Sequence, residues 1–165
     1  MINFINLINP LILVIFSVYL LWNKKNLIMY YLIGLFFNSL LNLILKGIIK
    51  QPRPLQTQQV IDNYLKNNYN LIKFNIYGMP SGHTQMCLYS SIFIWLALKN
   101  VNILLIYLFI SGLIMYQRII SNNHTGFQVI VGGIIGLLVG YFIFYIATQK
   151  IKSKYKIKED DYAPR

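Results

Sequence analysis

The chain has two histidines, His83 and His124, and each sits in a short run of residues suited to handling phosphate. In Gly78-Met79-Pro80-Ser81-Gly82-His83, proline and glycine fix a turn and Ser81 is a natural N-cap. Its hydroxyl is expected to occupy one free amide of the helix that follows, leaving others to attract an anion. His83 then stands in the first turn beside that anion, with a ring able to give or take a proton near neutral pH. In Lys46-Gly47-Ile48-Ile49-Lys50-Gln51-Pro52-Arg53-Pro54, the prolines stop a helix and stiffen its exit, so Arg53 points in a fixed direction. An arginine fork suits two phosphate oxygens at once, and Lys46 adds a compact charge. Lys50 reads as a lysine that snorkels from the helix end.

The third run, Arg118-Ile119-Ile120-Ser121-Asn122-Asn123-His124-Thr125-Gly126-Phe127-Gln128, needs a break at Ser-Asn-Asn to bring Arg118 and His124 together. Gln128, four residues after His124 at the start of a helix, is placed to turn its amide back toward the imidazole. A carbonyl on one ring nitrogen fixes the tautomer and leaves the other nitrogen free to attack. Each run by itself also has an ordinary structural explanation, as a capped helix, a snorkelling helix end or an interfacial histidine.

The elements that position these residues are membrane helices. A chain of 165 residues with 56% hydrophobic and 12% charged residues is too apolar for a soluble domain of that size. Five stretches, about 7 to 22, 27 to 45, 84 to 98, 101 to 117 and 127 to 148, approach the roughly 20 residues that span a bilayer. The expected fold is therefore all-α, a polytopic helical membrane bundle of about five spans over residues 1–149, followed by a basic tail over residues 150–165. The first stretch lacks a basic leader and a cleavage site, so it reads as a retained helix. Residues 55 to 77 read as a partly helical loop covering the site, with apolar residues to rest at the interface. Gly132, Gly136 and Gly140 form a smooth stripe for helix packing, inside the fold or in a homo-oligomer. Cys87 is the single cysteine, which excludes an intrachain disulfide.

The net charge of +11 follows the membrane rather than nucleic acid. Lys24, Lys25, Lys99 and the lysine-rich tail fall on one side of a five-span topology, and the three motifs on the other. The positive-inside bias puts the tail in the cytoplasm, as a solvated, partly disordered arm, and the motifs on the lumenal or external side. Abundant Asn, Ile, Lys and Tyr point to a coding sequence rich in A and T, which limits the weight that asparagine-rich loops can bear.

Together the three motifs resemble the type 2 phosphatidic acid phosphatase superfamily, with its phosphatidic acid phosphatase/haloperoxidase-like core. That family combines Lys-x6-Arg-Pro, Pro-Ser-Gly-His and Arg-x5-His in one site, and the resemblance covers residues 46 to 128. It implies that His124 is the nucleophile, forming a phosphohistidine, and His83 the acid that protonates the leaving oxygen. It also implies that Lys46, Arg53 and Arg118, with Ser81 and the Gly82 amide, bind the phosphoryl oxygens.

Two positions depart from the pattern: Gln117 stands where a serine is usual, and Gln128 where an aspartate is usual. The run His124-Thr125-Gly126-Phe127-Gln128-Val129 is most similar to the dolichyl diphosphatase branch. The resemblance therefore implies a lipid phosphate or diphosphate substrate. The only carboxylates are Asp62, Glu159, Asp160 and Asp161, so the sequence offers no Mg2+ cluster, and no metal or other cofactor is expected.

Overall fold

A computed structural model of the protein describes residues 9–67 and 71–160, with side chains described through residue 151. The expected helix within residues 7 to 22 thus begins partly outside the described residues. In chain order the elements are α1 (Leu11–Leu20), α2 (Lys25–Ile49), α3 (Gln58–Asn67), a 3-10 turn (Leu71–Ile76), α4 (Gly82–Leu98), α5 (Val101–Ile120) and α6 (Gly126–Asp160). No strand occurs among the described residues.

Helix α4 is the centre of the bundle. Thr84, Gln85, Cys87, Tyr89, Ser90, Ser91, Phe93 and Ile94 are all buried, so it is covered on every side by α1, α2, α5 and α6. The polar groups this burial would strand are paired across helices. Tyr31 and Ser90 share a hydrogen bond of 2.8 Å, the Tyr89 hydroxyl donates to the Tyr31 carbonyl at 2.7 Å, and Ser17 meets Tyr107 at 2.9 Å. Around them Tyr31, Tyr89, Phe93 and Phe144 stack edge to face and tilted, while Phe36, Phe109 and Leu138 project outward as a lipid-facing surface requires.

The glycine stripe works inside the fold. A Cβ on Gly132 would meet the Ser81 carbonyl oxygen at 2.5 Å, one on Gly136 would collide with the Gln85 carbonyl, and one on Gly140 would strike the Ile92 side chain. These glycines let α6 lie directly on the α4 backbone.

Among the described residues three helices are long and apolar enough to cross a membrane, Lys25–Ile49, Val101–Ile120 and Gly126–Ile151, and the protein is an integral membrane protein. The other two expected crossings are shorter. The 17 residues of α4 include buried polar groups that its enclosed position allows, and α1 has only 10 residues, bounded by Pro10 and the turn after Leu20. The tail also differs from expectation, because α6 stays helical to Asp160. Its lysines are good helix formers and simply extend the preceding span.

Sharp stops lie at the helix ends. Lys50 and Lys99 take left-handed backbone conformations that end α2 and α4, with φ of 52° and 54°. Asn100 then starts α5 by accepting from the amides of Asn102 and Ile103.

Candidate active site

The three motifs converge at one end of the bundle. Arg53, Lys46 and Arg118 all act electrostatically on the His83 ring, and Arg53 and Lys46 on His124, so the five groups share one field.

Backbone turns do most of the positioning. After α5 the amides of Asn123 and His124 both donate to the Arg118 carbonyl at 3.1 Å, and Asn122 turns left-handed with φ of 52°. The chain is thereby folded back on Arg118, which is the break the Ser-Asn-Asn sequence suggested. On the first motif, the Arg53 amide donates to the Gln56 side chain at 3.0 Å, while the Gln56 amide donates to the Arg53 carbonyl at 3.1 Å. That reciprocal pair fixes the arginine's exit direction. The Gly78 amide donates to the Gln51 carbonyl at 2.8 Å, and the Ser81 amide to the Gln128 carbonyl at 3.1 Å, tying the second motif to the other two.

His124 is buried and held through Nδ1, which lies 2.8 Å from the Gly78 carbonyl and 3.3 Å from Gln128 Oε1. Both partners are acceptors, so Nδ1 carries the proton and Nε2 carries the lone pair. The Gly78 carbonyl, which sequence reasoning missed, is the shorter of the two contacts.

Gln128 reaches this position differently from the shared helical face expected for it. His124 precedes α6, and Thr125 and Gln128 form a capping box. The Gln128 amide donates to Thr125 Oγ1 at 3.2 Å, and the Thr125 amide to Gln128 Oε1 at 3.1 Å. The Thr-x-x-Gln spacing was the available signal. Gln128 Nε2 donates in turn to Gln51 Oε1 at 3.1 Å and to the Pro52 carbonyl at 2.9 Å, which fixes the orientation of the amide. A carboxylate at this position would lose both donations and face two carbonyl oxygens, so a glutamine suits this network where the family usually has aspartate.

Ser81 caps α4 by position only. Its hydroxyl lies 3.1 Å from the Thr84 hydroxyl and makes no hydrogen bond to a helix amide, contrary to the expected capping interaction. The first amides of α4, that of Gly82 among them, therefore have no side-chain cap, and His83 stands half-buried just after them. Behind the turn, Asn42 Nδ2 donates to the Pro80 carbonyl at 3.2 Å and to Gln85 Oε1 at 2.8 Å, and Gln85 Nε2 donates to Asn38 Oδ1 at 2.9 Å. Asn38, Asn42 and Lys46 recur every four residues on one face of an apolar helix, a pattern that marks the wall of a polar site.

Lys46 is almost wholly buried and Arg53 and Arg118 half-buried, and the Nε atoms of both arginines are enclosed without a hydrogen-bond partner. Three basic groups close together favour a polyanion. Among the described residues no three His, Cys, Asp or Glu side chains stand together as a metal site would require.

Burial and the neighbouring cations hold both histidines down at about 4, with burial the larger cause. An anion that neutralises the cations raises these values, so anion binding takes up protons. Titration of the ligand-free protein with sulfate at pH 6, by calorimetry in buffers of differing ionisation enthalpy, is expected to record net proton uptake, reduced in His83→Gln. Sulfate does not titrate at this pH, so a zero proton count would contradict the coupling.

A family model described as the PAP2 superfamily matches residues 27–152. The chain belongs to the PAP2 superfamily. This PAP2 chain is 34% identical over 123 residues to the dolichyldiphosphatase of Saccharomyces cerevisiae, covering 68% of the chain and 48% of the relative. It is 31% identical over 138 residues to the chloroplastic lipid phosphate phosphatase epsilon 1 of Arabidopsis thaliana, covering 76% and 42%. With human dolichyldiphosphatase 1 the identity is 28% over 163 residues, covering 87% and 63%. The PAP2 chain thus spans about half the length of the curated relatives it matches. No solved structure matches it.

Proposed function

We propose that the protein is a membrane-embedded lipid phosphatase that hydrolyses a polyprenyl, dolichyl-type diphosphate through a phosphohistidine. The observation that carries the reading is the fixed tautomer of His124, with both Nδ1 partners accepting and three cations gathered nearby. Nε2 attacks the terminal phosphorus, forming a P–N bond as the bond to the bridging oxygen breaks. The leaving polyprenyl phosphate takes the bridging electron pair, with a proton from His83. Lys46, Arg53 and Arg118, together with Ser81 and the Gly82 amide, hold the phosphoryl oxygens and stabilise their charge. Water then attacks phosphorus, His83 accepts its proton, and breakage of the P–N bond returns the electron pair to Nε2 and releases inorganic phosphate. The imidazolium formed midway rests against the Gly78 carbonyl dipole and the Gln128 amide, with no carboxylate behind it.

A diphosphate suits this acid better than a monoester does. His83 is held at about 4 and protonates weakly until phosphate arrives. A phosphate leaving group needs less protonation than an alkoxide, so the bond in a diphosphate is the easier one for this site to break. The names of the yeast and human relatives agree with a diphosphate, whereas that of the plant relative says lipid phosphate; a phosphatase of phosphatidate-like or other lipid phosphate monoesters is the second reading. A catalytically silent membrane protein that binds phosphorylated lipid is the reading from another class, motivated by Gln117 and Gln128. Positive-inside counting supports a lumenal or external site and a cytoplasmic tail.

Purified protein in detergent with excess chelator is expected to convert polyprenyl diphosphate to polyprenyl phosphate and inorganic phosphate. Faster release from phosphatidate would favour the monoester reading, and inactivity on every lipid phosphate the silent binder. Activity lost in chelator and restored by Mg2+ would overturn metal-independent hydrolysis.

A further inference from the structure

Asn75 belongs to none of the three motifs, yet it touches two of the site's cations. Its side-chain Oδ1 accepts from Lys46 Nζ at 2.7 Å, and its backbone carbonyl accepts from Arg53 Nη2 at 2.9 Å. We propose that Asn75 is a positioning residue of the phosphate site, aiming Lys46 through its amide and Arg53 through its main chain at the incoming phosphate. This rests on the reading that these cations bind phosphate.

The chemistry of an amide suits the task. A neutral acceptor can hold an ammonium in place without cancelling its charge, so Lys46 remains available to an anion. An aspartate would form an ion pair with Lys46 and compete with the substrate for it. The site needs some such holder, because a lysine has a long, rotatable stem and three donors that would otherwise find other partners.

The 3-10 turn that carries Asn75 is itself fixed to α2. Gly47, the residue after Lys46, has no side chain, and a Cβ there would meet the Phe74 ring at 2.9 Å. Phe74 therefore rests on the α2 backbone beside Lys46, which sets Asn75 over the ammonium. On its other side Phe74 packs with Ile61, Ile76 and Tyr77, and the Tyr77 amide donates to the Phe74 carbonyl at 3.1 Å. Asn75 also borders a cavity of about 310 Å³ lined by Asn42, Ile72, Gly82 and Met86 among others. Gly82, at the uncapped end of α4, lines the same cavity, so the turn and the start of α4 border one space.

The test is binding of inorganic phosphate to the full chain in detergent, which needs no turnover. Asn75→Asp should weaken binding about tenfold or more by neutralising Lys46, and Asn75→Ala about threefold by releasing it. On a lipid diphosphate the same variants should raise KM more than they lower kcat, a split that loss of folded protein would not produce. Asn75 is exposed, so both variants are expected to unfold at the wild-type temperature. Gly47→Ala, which moves the turn through Phe74 and leaves Asn75 intact, should also weaken phosphate binding. Wild-type binding with all three variants within twofold of it would overturn the proposal while leaving the phosphate site standing. A wild-type protein that binds no phosphate would remove the functional reading as well.

Discussion

His124→Ala is expected to abolish phosphate release, by on the order of 10⁴-fold or more, because on the proposed mechanism its ring supplies the attacking lone pair. His83, the other histidine of the chain, stands at the start of α4 and is the proposed proton donor. The loss is expected to be chemical and not structural. His124 is held by one carbonyl and one amide oxygen, so the substitution removes two hydrogen bonds and no ion pair. A diphosphate labelled in its terminal phosphate should leave acid-labile, base-stable label on rapidly quenched wild-type protein and none on the variant. A variant retaining a tenth of wild-type turnover would exclude His124 as nucleophile. His83→Ala should fall less, by about 10²- to 10⁴-fold, since a diphosphate leaving group tolerates a missing acid.

The second large effect lies away from the chemistry. Gly136→Val is expected to destabilise the bundle by about 3 kcal/mol or more, because its first added carbon would already collide with the Gln85 carbonyl on α4. Backbone cannot step aside as a side chain can, so the two helices must separate. Separation moves α4, which begins with Gly82 and His83, away from α6, whose capping box orients His124. Gln85 is also bonded to Asn42 and Asn38, so the wall of the site shifts with it. Thermal unfolding in detergent should show a clear fall in Tm together with loss of activity. Gly112→Val is the control, because nothing lies within 4 Å of a Cβ added there. Equal Tm values for the two variants would refute the packing argument.

The sequence made the site's charges and histidines legible because each sits in a motif whose spacing has a mechanical reason. The helix stops, the turn before His124 and the glycine stripe were readable for the same reason. What remained hidden was mostly main chain. No periodicity could reveal that the Gly78 carbonyl grips His124, since a carbonyl is present at every residue and only the tertiary fold selects one. Asn75 was hidden by composition, because one asparagine in an asparagine-rich loop carries little signal. The Ser81 hydroxyl was misjudged because Thr84, one turn along, offers a competing partner. Hydrophobicity reports burial whether protein or lipid supplies it, which is why α4, enclosed by its neighbours, reads in the sequence like the lipid-facing helices.

The carbonyls of Gly78, Arg118, Pro52 and Asn75 each hold part of the site, respectively the His124 ring, the turn after α5, the Gln128 amide and the Arg53 fork. A carbonyl is contributed by the peptide unit whatever codon specifies the residue. A substitution that keeps the backbone path therefore leaves these four contacts in place, whatever side chain it introduces.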